Sequence, residues 1–138
     1  MKIDEVFNGI VLDHIKAGNS MKIYKYLDLD RLECAVAIIR NVKSTKMGKK
    51  DIIKIDAPIE LNLDVLGYID SGITVNIIKN GVLSQKFKLA LPEELINVLH
   101  CKNPRCITTV ENQLDSVFKL SDRESSVYRC VYCDTENS

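Results

Sequence analysis

Apolar positions along the first two thirds of the chain fall into two different spacings. Residues 9–12, GIVL, residues 34–39, CAVAII, and residues 51–55, DIIKI, are short apolar runs of strand length. The connection RNVKSTKMGKKD between the last two is rich in Lys, Ser and Gly and reads as a solvated loop. In ITVNIIKNGVLSQKFK, residues 73–88, the pair Asn80-Gly81 separates two strand-like segments, and Asn-Gly suits a two-residue hairpin turn that needs positive φ at both positions. Residues 20–29, SMKIYKYLDL, instead place Met21, Tyr24 and Leu27 at helical spacing, with Ser20 suited to cap the helix. Residues 59–69, IELNLDVLGYI, repeat that spacing and predict a helix closing at Gly67 or just past it. The order strand, helix, strand, strand, helix, strand, strand predicts an α+β unit, a ferredoxin-like antiparallel sheet with two helices on one face.

The pattern changes beyond residue 89. Pro92 suits the first position of a short helix, and Glu93 and Glu94 suit its positive end, so LALPEELINVLHC reads as a fairly rigid connector. After it come short alternating segments around SDRES, which predict a small all-β unit of three or four strands and no helix. The expected division is residues 1–92, a linker at 93–97, and a terminal unit at 98–138. That unit has only Leu99, Ile107, Val110, Leu114, Val117, Phe118, Leu120, Val127 and a few tyrosine faces to bury. At about 40 residues, such a unit needs a metal, disulfides or a partner to hold it.

Composition narrows the choice. The 138 residues are 46% apolar and 28% charged, with zero net charge, an ordinary globular balance. The N-terminal run MKIDEVFNGIVLDHIK has no signal-peptide core, and no stretch is long enough to span a membrane, so a cytoplasmic chain is expected. Cytosolic thiols are kept reduced, which demotes disulfides in favour of a metal or redox role for paired cysteines.

Four cysteines follow the spacing C-x4-C, 23 residues, C-x2-C: Cys101, Cys106, Cys130 and Cys133. Two short-spaced pairs can converge four sulfurs tetrahedrally on Zn2+, filling its shell and leaving no open position for water or substrate. A redox C-x-x-C normally opens a helix that lowers a thiol pKa, and only five residues follow Cys133. His100 reads as a surface imidazole beside Cys101, and Cys34, within an apolar strand, as a small hydrophobe. A zinc module raises the possibility of a nucleic-acid binder. Residues 97–138, however, carry five Lys and Arg against six Asp and Glu, and four thiolates around Zn2+ add about two more negative charges. A protein partner fits that balance better, and no nucleic acid is expected.

Polar residues also interrupt the strands of the larger unit: Asp13 and His14 after GIVL, Lys50 and Lys54 in KKDIIKI, Asn76 in TVNII, Lys86 in SQKFK. Taken singly, each is an ordinary solvated side chain. Gathered on one surface, the lysines and histidine could hold a polyphosphate while Asp13 accepts hydrogen bonds from ribose hydroxyls. There is no P-loop, no G-x-G-x-x-G and no nucleophile beside a base, so a binding module is favoured over an enzyme.

GIVLDHI at 9–15, MGKKDIIKI at 47–55, TVNII at 74–78, the Leu-Pro before the connector, CKNPRCIT and the terminal CVYC together resemble the regulatory chains of aspartate carbamoyltransferase, over nearly the whole chain. The resemblance implies a non-catalytic allosteric subunit acting in pyrimidine biosynthesis. It implies an N-terminal domain binding ATP and CTP and a C-terminal zinc domain docking on the catalytic chain. It further implies a regulatory homodimer within a dodecamer of six catalytic and six regulatory chains. By position it assigns nucleotide binding to Asp13, His14, Lys54, Asn76 and Lys86, to which the residue pattern adds Lys50, and zinc to Cys101, Cys106, Cys130 and Cys133. The chain departs from the family pattern at the bare Asn80-Gly81 turn, at Lys88 where an arginine can occur, and at Arg105 where relatives carry asparagine. Those positions bear on nucleotide preference and on docking.

Overall fold

The computed structural model describes residues 6–111 and 113–137; residues 1–5, part of the run read above as lacking a leader, lie outside the described residues. The chain divides into two compact units, residues 1–90 and 91–138.

The first unit runs β1 (Gly9–Lys16), α1 (Asn19–Tyr26), a 3-10 turn (Leu29–Arg31), β2 (Val36–Ser44), β3 (Gly48–Ile55), α2 (Leu63–Ile69), β4 (Thr74–Lys79) and β5 (Val82–Lys88). Its five strands lie in the order β2-β3-β1-β4-β5, all neighbours antiparallel. Each helix lies in a connection that skips a strand, the ferredoxin-like arrangement expected, with β5 added by the Asn80-Gly81 hairpin. Both turn residues have positive φ, 53° and 77°. Strand alternation sends Ile10, Leu12, Ile53, Ile55, Ile73 and Val75 inward, where they pack with Ile23 of α1 and Leu66 of α2. Gly9 is required at its position, because a Cβ there would lie 2.0 Å from the Ile55 carbonyl oxygen.

The helices differ in detail from the sequence expectation. Ser20 lies inside α1, whose capping position is Gly18 at φ 98° with no side-chain cap. The capping role passes to Asp51 of β3. Its Oδ2 accepts from the Gly18 N–H at 2.9 Å, the Ser20 N–H at 3.4 Å and the Ser20 hydroxyl at 2.6 Å, while Oδ1 accepts from the Asn41 N–H at 3.0 Å. The inward stripe of α1 is Ile23 with Tyr24 and Leu27, and Met21 is exposed. The second helix begins at Leu63, later than the Ile59 start predicted, because Asn62 caps it by accepting from the N–H groups of Asp64 and Val65.

The second unit contains β6 (Glu94–Ile96), α3 (Ile107–Val110), β7 (Val117–Asp122) and β8 (Val127–Cys130), the strands forming an antiparallel sheet in the order β6-β7-β8. The predicted helix after Pro92 is therefore a strand, and residues 93–97 contribute to this sheet instead of serving as a connector. Leu95 alternates inward between exposed Glu94 and Ile96 and pairs with Phe118, which in turn faces Cys130. Tyr128, fully buried, donates its hydroxyl hydrogen to the Pro92 carbonyl at 2.6 Å. The single turn α3 was not expected. It follows Cys106 directly, and Thr109 bonds back to the Cys106 carbonyl at 2.7 Å, so local hydrogen bonding overrides the β-branched sequence ITTV. Ile107, Val110 and Leu114, expected inside, are on the surface. Among the described residues no helix is long and apolar enough to cross a membrane.

Candidate functional site

The second unit gathers its four paired cysteines at one end of its sheet. Cys101 and Cys106 flank the loop before α3, in which the Cys106 N–H donates to the Asn103 carbonyl at 3.0 Å. Cys130 ends β8 and Cys133 follows in the turn closed by Asp134 N–H donating to the Cys130 carbonyl at 2.8 Å. The Sγ atoms of Cys101 and Cys133 are 3.4 Å apart, those of Cys106 and Cys130 are 3.7 Å apart, and all four lie within 4.8 Å of one another. A tetrahedron with metal–sulfur bonds of about 2.3 Å has sulfur–sulfur edges of about 3.8 Å, so these thiols fit one four-coordinate ion. None is in a disulfide. His100 is exposed and outside the cluster.

The thiols differ in their surroundings. Burial pushes the Cys101 thiol up to about 12 and raises Cys130 as well, so both resist ionising without one nearby. Cys133 is held at about 6, first by the Thr135 hydroxyl 3.1 Å from its sulfur and then by the Thr135 N–H. Thr108 lies likewise 3.1 Å from the Cys106 sulfur. A divalent ion would hold all four as thiolates, with the two threonines hydrogen-bonding the ligands from outside.

The polar residues singled out in the first unit share the sheet face turned away from the helices. Register places Lys54 opposite Val11, Val11 opposite Asn76 and Asn76 opposite Lys86, one row across four strands. Ile10, Leu12, Ile53 and Val75, adjoining this row, point to the core, so the row points outward. Asn76 Nδ2 donates to the Val11 carbonyl at 3.2 Å, and Lys86 is exposed. One step along β1, Asp13 pairs with Lys50 at 2.9 Å and opposes Thr74. Burial works to raise the Asp13 pKa. The Lys50 hydrogen bond, the His14 N–H and the Lys50 charge outweigh it and leave the carboxyl below the usual aspartate range.

His14 sits in a β-bulge between Leu12 and Ile15 at φ 58°, with Nδ1 3.1 Å from the Thr74 hydroxyl. The bulge turns it out of the strand alternation and beside the Asp13–Lys50 pair. Three lysines, one of them paired with Asp13, an amide and an imidazole thus border one outward surface, a composition suited to a phosphorylated ligand. Sequence reasoning missed Thr74, Thr108, Thr135 and Asp51. Only Asp51 had a visible signal, a carboxylate at an inward position of an alternating strand.

Comparison with known proteins matches residues 1–90 to the family model described as the aspartate carbamoyltransferase regulatory chain, allosteric domain, and residues 93–138 to that family's metal binding domain. Similar proteins named aspartate carbamoyltransferase regulatory chain include one from Clostridium botulinum, 50% identical over 134 residues, covering 97% of this chain and 92% of the relative. One from Clostridium acetobutylicum is 49% identical with the same coverage, and one from Bifidobacterium longum is 40% identical over 99% of this chain and 98% of its own length.

Proposed function

The chain belongs to the family of aspartate carbamoyltransferase regulatory chains, and from that premise we propose that it binds ATP and CTP on the outward sheet face and passes their effect to a catalytic chain in pyrimidine biosynthesis. The observation that carries this reading is the row Lys54, Asn76 and Lys86 beside Asp13, His14 and Lys50. Lys86 and Lys54 take phosphate oxygens, His14 and Asn76 add hydrogen bonds to them, and Asp13, paired with Lys50, borders the phosphate end of the face. Asp13 makes both its contacts through Oδ1, and Lys50 can exchange it for a phosphate.

The metal-binding unit holds one structural Zn2+ on Cys101, Cys106, Cys130 and Cys133 and docks on the catalytic chain. Its exposed apolar side chains, Ile107 at 49%, Val110 at 72%, Leu114 at 40% and Tyr132 at 46%, supply the surface for docking. Zinc here is a structural ion: a closed thiolate shell leaves no position for substrate, and the chain does no catalysis itself. Regulatory chains pair, and the assembly is a dodecamer of six catalytic and six regulatory chains. A nucleotide shifts that assembly only as far as it binds one state better than the other, a tenfold preference amounting to about 1.4 kcal/mol per site.

Calorimetry of the zinc-loaded chain with ATP and CTP, paired with co-elution on the catalytic chain, tests both halves. The reading expects saturable nucleotide binding and a stable complex, and fails if the chain assembles yet takes up neither nucleotide.

A further inference from the structure

Rows of the outward sheet face change character along β1. The row Lys54, Val11, Asn76, Lys86 is polar and cationic, whereas the next row, Gly9, Ile78 and Leu83, is apolar. About 7 Å separates rows two residues apart. Beyond the apolar row, Phe7 is 59% exposed although its neighbour Val6 is buried. Its backbone is held on both sides: the Phe7 N–H donates to Asp56 Oδ1 at 3.2 Å and its carbonyl accepts from the Gly81 N–H at 2.8 Å. The ring lies against the turn, with Cδ2 and Cε2 at 3.5 and 3.8 Å from where a Cβ on Gly81 would be. Gly81 itself is at φ 77°, a backbone conformation that glycine takes without strain.

The other aromatic residues of this unit, Tyr26 with its 65% exposure included, lie off this sheet face. Tyr24, Tyr26 and Tyr68 are on helices, and Phe87 packs against the core. We infer that Phe7 is the platform on which the nucleobase stacks, the apolar row Gly9, Ile78 and Leu83 lying beneath the sugar and the cationic row receiving the phosphates. This rests on the nucleotide reading above and adds a base-recognising residue to it. Stacking accepts any base with a π face, so the platform serves purine and pyrimidine alike, and the polar groups around it discriminate between them.

The chain has no tryptophan, so Phe7→Trp introduces a single indole at the proposed contact. In the full zinc-loaded chain, ATP and CTP should quench its emission, whereas inorganic tripolyphosphate, which has no base, should bind without quenching. Phe7→Ala should weaken ATP and CTP about tenfold and leave tripolyphosphate affinity unchanged, while Lys86→Ala should weaken all three. If Phe7→Ala binds nucleotides as the unaltered chain does while Lys86→Ala does not, the platform is wrong and the nucleotide site stands. Equal loss of tripolyphosphate affinity in Phe7→Ala would mark a disturbed fold and also overturn the stacking role. Absence of saturable nucleotide binding by the unaltered chain removes the site itself.

Discussion

Asp51, with no exposed surface, joins two segments to β3 through one carboxylate: the start of α1, by the Gly18 N–H and the Ser20 hydroxyl, and the bulge of β2 at Asn41. Asp51→Ala strands those donors, and the first unit should lose about 2–4 kcal/mol against urea, with a smaller loss for Asp51→Asn. Burial acts to raise this carboxyl, but hydrogen bonds from Ser20, Asn41 and Gly18 outweigh it and leave its pKa below the ordinary value. A carboxyl lowered in the folded state adds stability above its unfolded pKa of about 3.9, and that stability is lost as pH falls through the folded value. Denaturation midpoints at pH 7 and at successively lower pH should therefore converge for the parent and Asp51→Asn only below pH 4. Lys86 behaves oppositely, being exposed and in no ion pair among the described residues. Lys86→Ala should leave stability unchanged within about 0.5 kcal/mol, while ATP affinity falls about tenfold or more in calorimetry.

At the level of elements, the two units should separate on metal removal. Few apolar side chains hold the second sheet beyond Leu95, Phe118 and Tyr128, and the cysteines complete that core. Chelation, or Cys133→Ser, should melt residues 91–138 by hydrogen exchange while the amides of β1, β3 and β4 stay protected. The larger sheet was legible in the chain because its strands hold short apolar runs and Asn80-Gly81 marks its hairpin, although residues 40–51, read as a loop, are mostly strand, β2 running to Ser44 and β3 starting at Gly48. The cysteine spacing was legible for a similar reason, since two short-range pairs constrain each other. What was not legible depended on distant partners. β6 was read as a helix because Pro92 and two glutamates suit a helix start, yet the Leu120 N–H reaching the Glu93 carbonyl at 2.9 Å makes a strand there. Ser20 lost its capping role to a residue 31 positions away. The apolar residues Ile107 and Val110 were assigned to a core, and their exposure follows from a turn set by the metal loop.

For the whole molecule, the same separation underlies the division of labour proposed above: one unit to read an anionic ligand and one to attach to a partner. Val110→Glu puts a charge on the most exposed apolar residue of the second unit, so docking should weaken at least tenfold with zinc content and ATP affinity unchanged, as co-elution, metal analysis and calorimetry would report. Coupling between the units is the central claim, and it is read most directly from the aspartate saturation curve of catalytic chains reconstituted with this chain. Saturating ATP or CTP should displace the curve's midpoint. The displacement should vanish with Lys86→Ala, although the complex still forms, and should be absent for catalytic chains alone. Superimposable curves with and without nucleotide, from a fully assembled complex, would contradict the account.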